Sequence, residues 1–247
     1  MKGYGQYCPI ALAAEVFAER WTPIILRNLM VGCTHFGEIL EGAPGMPRSV
    51  LSTRLRRLER DGVVRRSQTG RSTSYHLTSC GRELADVCLT LGVWGARWRE
   101  ALPEHHDPHL VLWTTSRLVD PATLPRSRVV VRFDLTDGSR PNRYWLVCSR
   151  TGNEVCVRSP GFDEDAVMTT TASWLLRWHS GAVTPAQAQR AGGMTVTGPG
   201  WAVRELTRWG RLSPFADVRP APRVAGRPHV EATTVDGIDP IGPAPGL

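Results

Sequence analysis

Apolar positions recur at helical spacing through the first hundred residues and at strand-like alternation through much of the second half. Ile10, Leu12, Ala13, Val16 and Phe17, followed by Ile24, Ile25, Leu26 and Leu29, predict two helices over 9–30. Pro9 suits a first helical position, and Thr22-Pro23 opens the second helix. A short helix carrying Phe36, Ile39 and Leu40 follows, with Thr34 as its expected N-cap and Gly42-Ala43-Pro44-Gly45 as its breaker. Leu51, Leu55 and Leu58 stand at i, i+4, i+7 in a helix over 46–60 that Asp61-Gly62 stops. Ser49, Ser52, Thr53, Arg56 and Arg60 share its other face, so one side packs and the other offers hydrogen bonds. Val63 to Arg66 and Thr73 to Leu77 read as two strands around Gln68-Thr69-Gly70-Arg71, a hairpin with a basic tip. Thr78 then caps a long helix through Leu84, Val87, Cys88 and Leu91 to Trp94 and Trp98. Its apolar surface exceeds what one side of a small domain buries, which predicts a homodimer seam.

The second half changes period. Val129, Val131, Phe133 and Leu135 alternate with Val130, Arg132 and Asp134, and Asp137-Gly138 turns the chain into the strand Tyr144 to Cys148. Thr151-Gly152-Asn153 leads into Glu154 to Arg158, giving an antiparallel meander. A strand from Val167, a helix with Trp174, Leu175, Leu176 and Trp178, a short helix opened by Pro185, a strand at 194–197 and a helix over 201–212 complete an α+β unit with helices over one sheet face. The polar, Pro-bounded stretch 103–108 separates two expected domains, 1–102 and 109–218. Residues 219–247, rich in proline and glycine, are expected to form a flexible tail.

Charge sharpens the picture of the first half. Residues 1–100 carry 14 basic and 9 acidic groups, against 16 and 14 in 101–247. Eight arginines at 48, 54, 56, 57, 60, 65, 66 and 71 face only Glu59 and Asp61 within that stretch, a local surplus suited to a polyanion. Helix, helix with a polar outer face, then basic hairpin is a winged helix-turn-helix pattern. No apolar run approaches the ~18 residues that cross a bilayer, and the N-terminus lacks a secretion-signal layout, so no membrane partner and a cytoplasmic location are expected. The six cysteines have neither zinc-ribbon spacing nor disulfide-scaffold density.

Residues 8–98 resemble the HxlR family of bacterial, MarR-like winged-helix regulators. The resemblance is carried by Cys8-Pro9, Arg20-Trp21-Thr22 with Ile25-Leu26, Phe36-Gly37-Glu38-Ile39-Leu40, the run Leu51 to Arg66, and Tyr75-His76-Leu77-Thr78 with Gly81. His35 and Arg71-Ser72-Thr73-Ser74 depart from the usual pattern, where an Arg precedes the Phe and a Pro lies in the wing. Residues 109–218 are similar to the sterol carrier protein 2-like (SCP2-like) domain through Val131 to Leu135, Gly138, Trp145-Leu146-Val147, Trp178 to Gly181 and Met194 to Gly198. That resemblance implies an apolar cavity between sheet and helices, and the combination implies a one-component regulator that senses a small molecule.

The expected DNA-binding residues are Arg48, Ser49, Ser52, Thr53, Arg56, Arg57, Arg60, Arg65, Arg66 and Arg71: arginines for phosphates, the Ser/Thr edge and Arg56 for base edges. Phe133, Trp145, Trp174 and Trp178 are the expected lining of the ligand cavity, each alternatively a plain core residue. Cys8, just before a helix start, is a candidate redox sensor, alternatively a small buried residue at the helix entry. His105-His106-Asp107-Pro108-His109 has ligand types but reads as a linker, and His179 as a helix C-terminal cap, so neither a metal nor a cofactor is expected. No Gly-rich phosphate loop, HExxH or GxSxG is present, and no enzyme activity is expected. The expectation is a transcriptional repressor binding double-stranded DNA as a homodimer, tuned by an apolar effector. The alternative is a carrier of hydrophobic ligands or a scaffold that binds nucleic acid without sequence preference.

Overall fold

The computed structural model describes residues 3–221. Most of the expected tail, 222–247, lies outside the described residues, while Ala221 at its start donates its N–H to the Arg97 carbonyl. No helix among the described residues is long and apolar enough to cross a membrane.

The first unit contains α1 (Pro9–Phe17), α2 (Thr22–Met30), α3 (Phe36–Glu41), α4 (Arg48–Arg60), the hairpin β1 (Val64–Thr69) and β2 (Ser72–Leu77), and α5 (Ser79–Trp98). Its core is built from the apolar stripes: Ile25, Leu26 and Leu29 of α2, Ile39 of α3, and Leu51, Leu55 and Leu58 of α4 are all buried together. Gly62, at φ +72°, ends α4 in the left-handed conformation that glycine adopts without steric cost, and Val63 and Val64 then enter the same core. Thr78 caps α5 as expected, its hydroxyl accepting from Gly81 N at 3.0 Å.

The second unit holds α6 (Pro108–Leu118), β3 (Arg128–Leu135), β4 (Arg143–Ser149), β5 (Gly152–Cys156), β6 (Ala166–Thr170), α7 (Ala172–His179), α8 (Pro185–Arg190), β7 (Met194–Thr197) and α9 (Gly200–Trp209). The strands form one sheet in the order β5-β4-β3-β6-β7. Strands β3, β4 and β5 make the expected antiparallel meander, whereas β6 lies parallel to β3. Alternation sorts the side chains by face: Val129, Val131, Phe133, Leu135, Tyr144, Leu146 and Cys148 join the core under the helices, while Val130, Trp145 and Val147 form a small cluster on the other face.

Helix α6 belongs to both cores. Val111 and Leu112 pack into the sheet-and-helix core, but Trp113, one position on, is buried in the core of the first unit. The expected second domain, 109–218, thus begins within a helix that packs against both units. Other contacts repeat this division. Arg117 of α6 pairs with Glu38 of α3 at 3.5 Å, whereas the carbonyls of Ser116 and Val119 accept from Asn153 Nδ2 of β5 at 2.8 and 2.7 Å.

Glycine at position 42 admits Trp113. A Cβ there would lie 2.1 Å from the Trp113 ring and 2.7 Å from Asn28 Nδ2, and both neighbours are buried. Gly42→Ala is expected to destabilise the protein by about 1–3 kcal/mol, the usual cost of overpacking a filled site. Gly37→Ala, where a Cβ meets nothing within 4 Å, is the control in the same denaturant titration and should leave the midpoint no lower. Equal midpoints for the two variants would contradict this packing.

His179 ends α7 but does not cap it. Its Nδ1 lies 2.8 Å from the Thr115 hydroxyl of α6, and burial holds its imidazole down at about 4, well below the ordinary 6.5. The unfolded chain takes up this proton near pH 6.5 and the folded chain only near 4. The stabilising contribution is thus full above about 6.5 and lost as pH falls through that window, by about 3 kcal/mol. Unfolding free energies at pH 7 and 4.5 should show this slope in the wild type and a shallower one in His179→Gln. Identical slopes would refute it.

Candidate nucleic-acid interface

Helix α4 is presented by what lies behind it. Leu51, Leu55 and Leu58 fix its inner face, Pro47 precedes it in extended conformation, and Gly45 at φ +82° makes the turn from α3. The turn itself is tied by buried Asn28, whose Nδ2 donates to Ile39 O at 2.8 Å, and by Arg27, which donates to Asn28 Oδ1 and to the Gly42 carbonyl.

The outer face carries Arg48, Ser49, Thr53, Arg56 and Arg60, all exposed, with Ser52 half-buried beside them. The hydroxyls of Ser49, Ser52 and Thr53 have no hydrogen-bond partner among the described residues. Arg56 Nε approaches Ser52 O at 3.3 Å, and its two terminal guanidinium nitrogens have no hydrogen-bond partner among the described residues. Arg48 lies over the Phe36 ring at 4.9 Å, a stacking contact that fixes the side chain at the start of α4. Arg60 pairs with no carboxylate among the described residues. A row of unspent donors on a rigid helix is what hydrogen bonding to base edges and phosphates requires.

Arg57 differs from its neighbours. Expected on the DNA-facing surface, it is turned instead toward α1, where Glu19 binds both it and Arg54, and its guanidinium also donates to Glu15 O at 2.8 Å. The reason is helical geometry: 54 and 57 lie beside the buried stripe, within reach of the α1–α2 junction, while 53, 56 and 60 point outward. Glu19 carries no sequence signature of its own, so this pairing was not legible from local pattern.

The hairpin stands beside this surface. Gly70, at φ +59°, supplies the first of two turn residues between the paired Thr69 and Ser72, and exposed Arg71 is the second. Arg65 and Arg66 are exposed along β1 and pair with no carboxylate among the described residues. The hairpin is anchored at the entry of α3: Tyr75 N donates to Thr34 O at 2.8 Å, and His35 Nδ1 meets Thr73 O at 3.1 Å. The N-cap of α3 is His35 rather than the expected Thr34. Glu38 Oε2 accepts the N–H of both residues at 2.8 and 3.0 Å. Burial raises the Glu38 carboxyl, but these two N–H groups and Arg117 outweigh it and hold the group below the ordinary carboxylate range.

Of the four aromatic residues expected to line one cavity, Phe133, Trp174 and Trp178 share the core under the helices and Trp145 does not. Phe133 and Trp178 are fully buried, with ring centroids 6.1 Å apart, and Trp178 Nε1 donates to Leu206 O at 2.9 Å. Trp145 is on the opposite face of the sheet, donating to Glu164 Oε1 at 3.0 Å. Trp174 is held under Arg177, 4.1 Å from its ring, and against Gly193. Cys8 precedes α1 as its N-cap residue, half-buried, with its thiol free. Cys33 and Cys148 are buried, and burial pushes their thiols up to about 11 and about 12.

Comparison with known proteins follows the same division of the chain. Residues 16–103 match the HxlR-like helix-turn-helix family. The HTH-type transcriptional regulator sll1512 of Synechocystis sp. is 31% identical over 99 residues, spanning 39% of this chain and 73% of that protein. The HTH-type transcriptional regulator YdeP of Bacillus subtilis is 32% identical over 98 residues, spanning 38% of this chain and 77% of that protein. Among solved structures, diamide-treated YodB from B. subtilis is 30% identical and covers 36% of this chain and 93% of its own, with a TM-score of 0.33. The chain belongs to the HxlR-like helix-turn-helix family of DNA-binding transcriptional regulators.

Proposed function

We propose that the protein is a homodimeric repressor that binds a pseudo-palindromic operator through α4 and the β1–β2 hairpin, and that its second unit, with its SCP2-like resemblance, senses a small molecule. The observation that carries this reading is the outer face of α4, where the hydroxyls of Ser49, Ser52 and Thr53 and the terminal guanidinium nitrogens of Arg56 have no hydrogen-bond partner among the described residues while the opposite face is locked in the core. In the major groove, Arg56 and the hydroxyls would meet base edges, and Arg48, Arg60, Arg65 and Arg66 would lie along phosphates. Arg71 at the hairpin tip would reach the adjacent minor groove. Arg57, held by Glu19, takes no part in this reading.

Pairing of two protomers is supported by α5. Val87, Leu91, Trp94 and Trp98 follow one another along one helix face and are each 46–57% exposed, and Tyr7 and Ile10 near the N-terminus are exposed as well. A two-fold axis along such a seam would place the two α4 helices about one helical turn of DNA apart. Occupancy of an operator would block transcription by exclusion, and an effector would relieve it only by favouring a different arrangement of the two DNA-binding units.

Titration of DNA from the protein's own upstream region against scrambled DNA, over a salt series, tests this reading. The wild type should prefer the operator by ~1000-fold with two protomers bound per site. Arg56→Ala should weaken operator binding about tenfold or more and scrambled-DNA binding much less. Arg57→Ala should leave the salt slope unchanged and lower thermal stability instead, because its partner is Glu19 rather than phosphate. Equal losses on both DNAs for Arg56→Ala would remove base recognition from this position.

A further inference from the structure

Where α2, α5, α6 and α7 converge, the turn at 212–215 closes over a cavity of about 470 Å3. That volume is within the range of small-molecule sites. The cavity lies between the two units, away from Phe133, Trp145 and Trp178, and no residue of the α4 outer face or the hairpin lines it. Its walls are chiefly apolar, with Met30 from α2, Leu89 from α5, Leu118 from α6, Leu176 from α7 and Phe215 from the closing turn.

The polar groups in the walls define what could bind. Arg27 and Asp107 contribute opposite charges, and both are already engaged, Arg27 with Asn28 Oδ1 and the Gly42 carbonyl, Asp107 with the N–H groups of His109 and Leu110. The Thr114 hydroxyl donates to Leu110 O at 2.8 Å, His105 Nδ1 accepts from Leu102 N at 3.1 Å, and the Ser213 hydroxyl accepts from Phe215 N at 3.3 Å. His179 is different. With the Thr115 hydroxyl proton placed on Val111 O, 2.9 Å away, the 2.8 Å contact with His179 has Nδ1 as its donor. The imidazole is neutral near pH 7, and Nε2 is therefore a lone-pair acceptor. It has no protein partner among the described residues. An acceptor between apolar walls gains most from a donor that brings no charge of its own.

We propose that this cavity binds a neutral, mainly apolar molecule carrying one hydroxyl, an alcohol or a phenol, whose O–H donates to His179 Nε2. The site is assembled from both units: α2 and α5 supply one part of the wall, α7 and the closing turn another, with α6 between them. A bound molecule thus touches the DNA-binding unit and the sheet unit at once. The consequence for DNA rests on the regulator reading above, but binding itself does not.

Isothermal titration calorimetry of the full chain, without DNA, tests the site with para-phenylphenol, para-phenylanisole and para-phenylbenzoate. The phenol should bind, the ether of the same shape but without a donor should bind about tenfold more weakly, and the carboxylate should be weaker than the phenol. His179→Phe should bring phenol and ether to equal affinity, and Leu176→Trp should abolish both by filling the cavity. No heat with the phenol, equal affinity of phenol and ether for the wild type, or tightest binding of the carboxylate would each overturn the proposal. The phenol-to-ether ratio is read on the wild type, so the test stands even if a variant fails to fold. Because DNA is absent, failure of operator recognition cannot be mistaken for failure of this site.

Discussion

Helix α6 is the constraint on which the arrangement of the molecule depends. Eleven residues long, it sends Trp113 into one hydrophobic core and Val111 and Leu112 into the other. Successive residues on a helix point about a quarter-turn apart, so a single short helix can serve two cores only if each presents a complementary face to it. The first unit does so with a glycine at 42 and the buried amide of Asn28, and the second with β5 and α7. The two units are thereby coupled by packing rather than only by a linker, and the cavity bounded by α2, α5, α6 and α7 is a product of that coupling. The same Arg27 that ties the α2–α3 connection through Gly42 O also forms part of the cavity wall.

The proposed DNA-facing surface follows from a separation of polar groups by what they can reach. On α4, arginines beside the leucine stripe find Glu19 and Glu15 O and become structural, whereas Arg56 and Arg60 on the outer face pair with no carboxylate among the described residues. Charge counting alone does not make this distinction. An arginine paired with a carboxylate inside the protein adds little to a polyanion site, since its counter-ion is already covalently present in the fold. The surplus of basic residues in 48–71 therefore overstates the charge that the proposed surface offers, and Arg56, Arg60, Arg65, Arg66 and Arg71, which pair with no carboxylate among the described residues, define that surface more closely.

Much of the first unit was legible because its signals are local. The i, i+4, i+7 leucines, the Asp61-Gly62 stop and the Thr78 cap each act within a few residues and are found where the sequence predicts them, while the hairpin turn expected over 68–71 tightens to Gly70-Arg71 because Gln68 and Thr69 pair in β1. What could not be read depends on partners distant in sequence. Trp113 looks like any core tryptophan of the second half until Gly42 is placed against it, 71 positions earlier. Arg57 looks like Arg56 until Glu19 is placed beside it. His179 reads as a cap because His near a helix end often is one, and only its burial against α6, with Thr115 2.8 Å from Nδ1, keeps it neutral. The tryptophans of the second unit were grouped by chemistry, but strand alternation sends Trp145 to one face of the sheet and Phe133 to the other.

The central claim is that two copies of the α4 outer face read successive major grooves. Guanine N7 methylation interference on the upstream DNA tests it most directly, because N7 lies in the major groove and is blocked without altering the phosphates. The account predicts interference confined to two patches on one face of the duplex, with centres about 34 Å apart. Interference spread evenly along the DNA, or confined to a single patch, would contradict it.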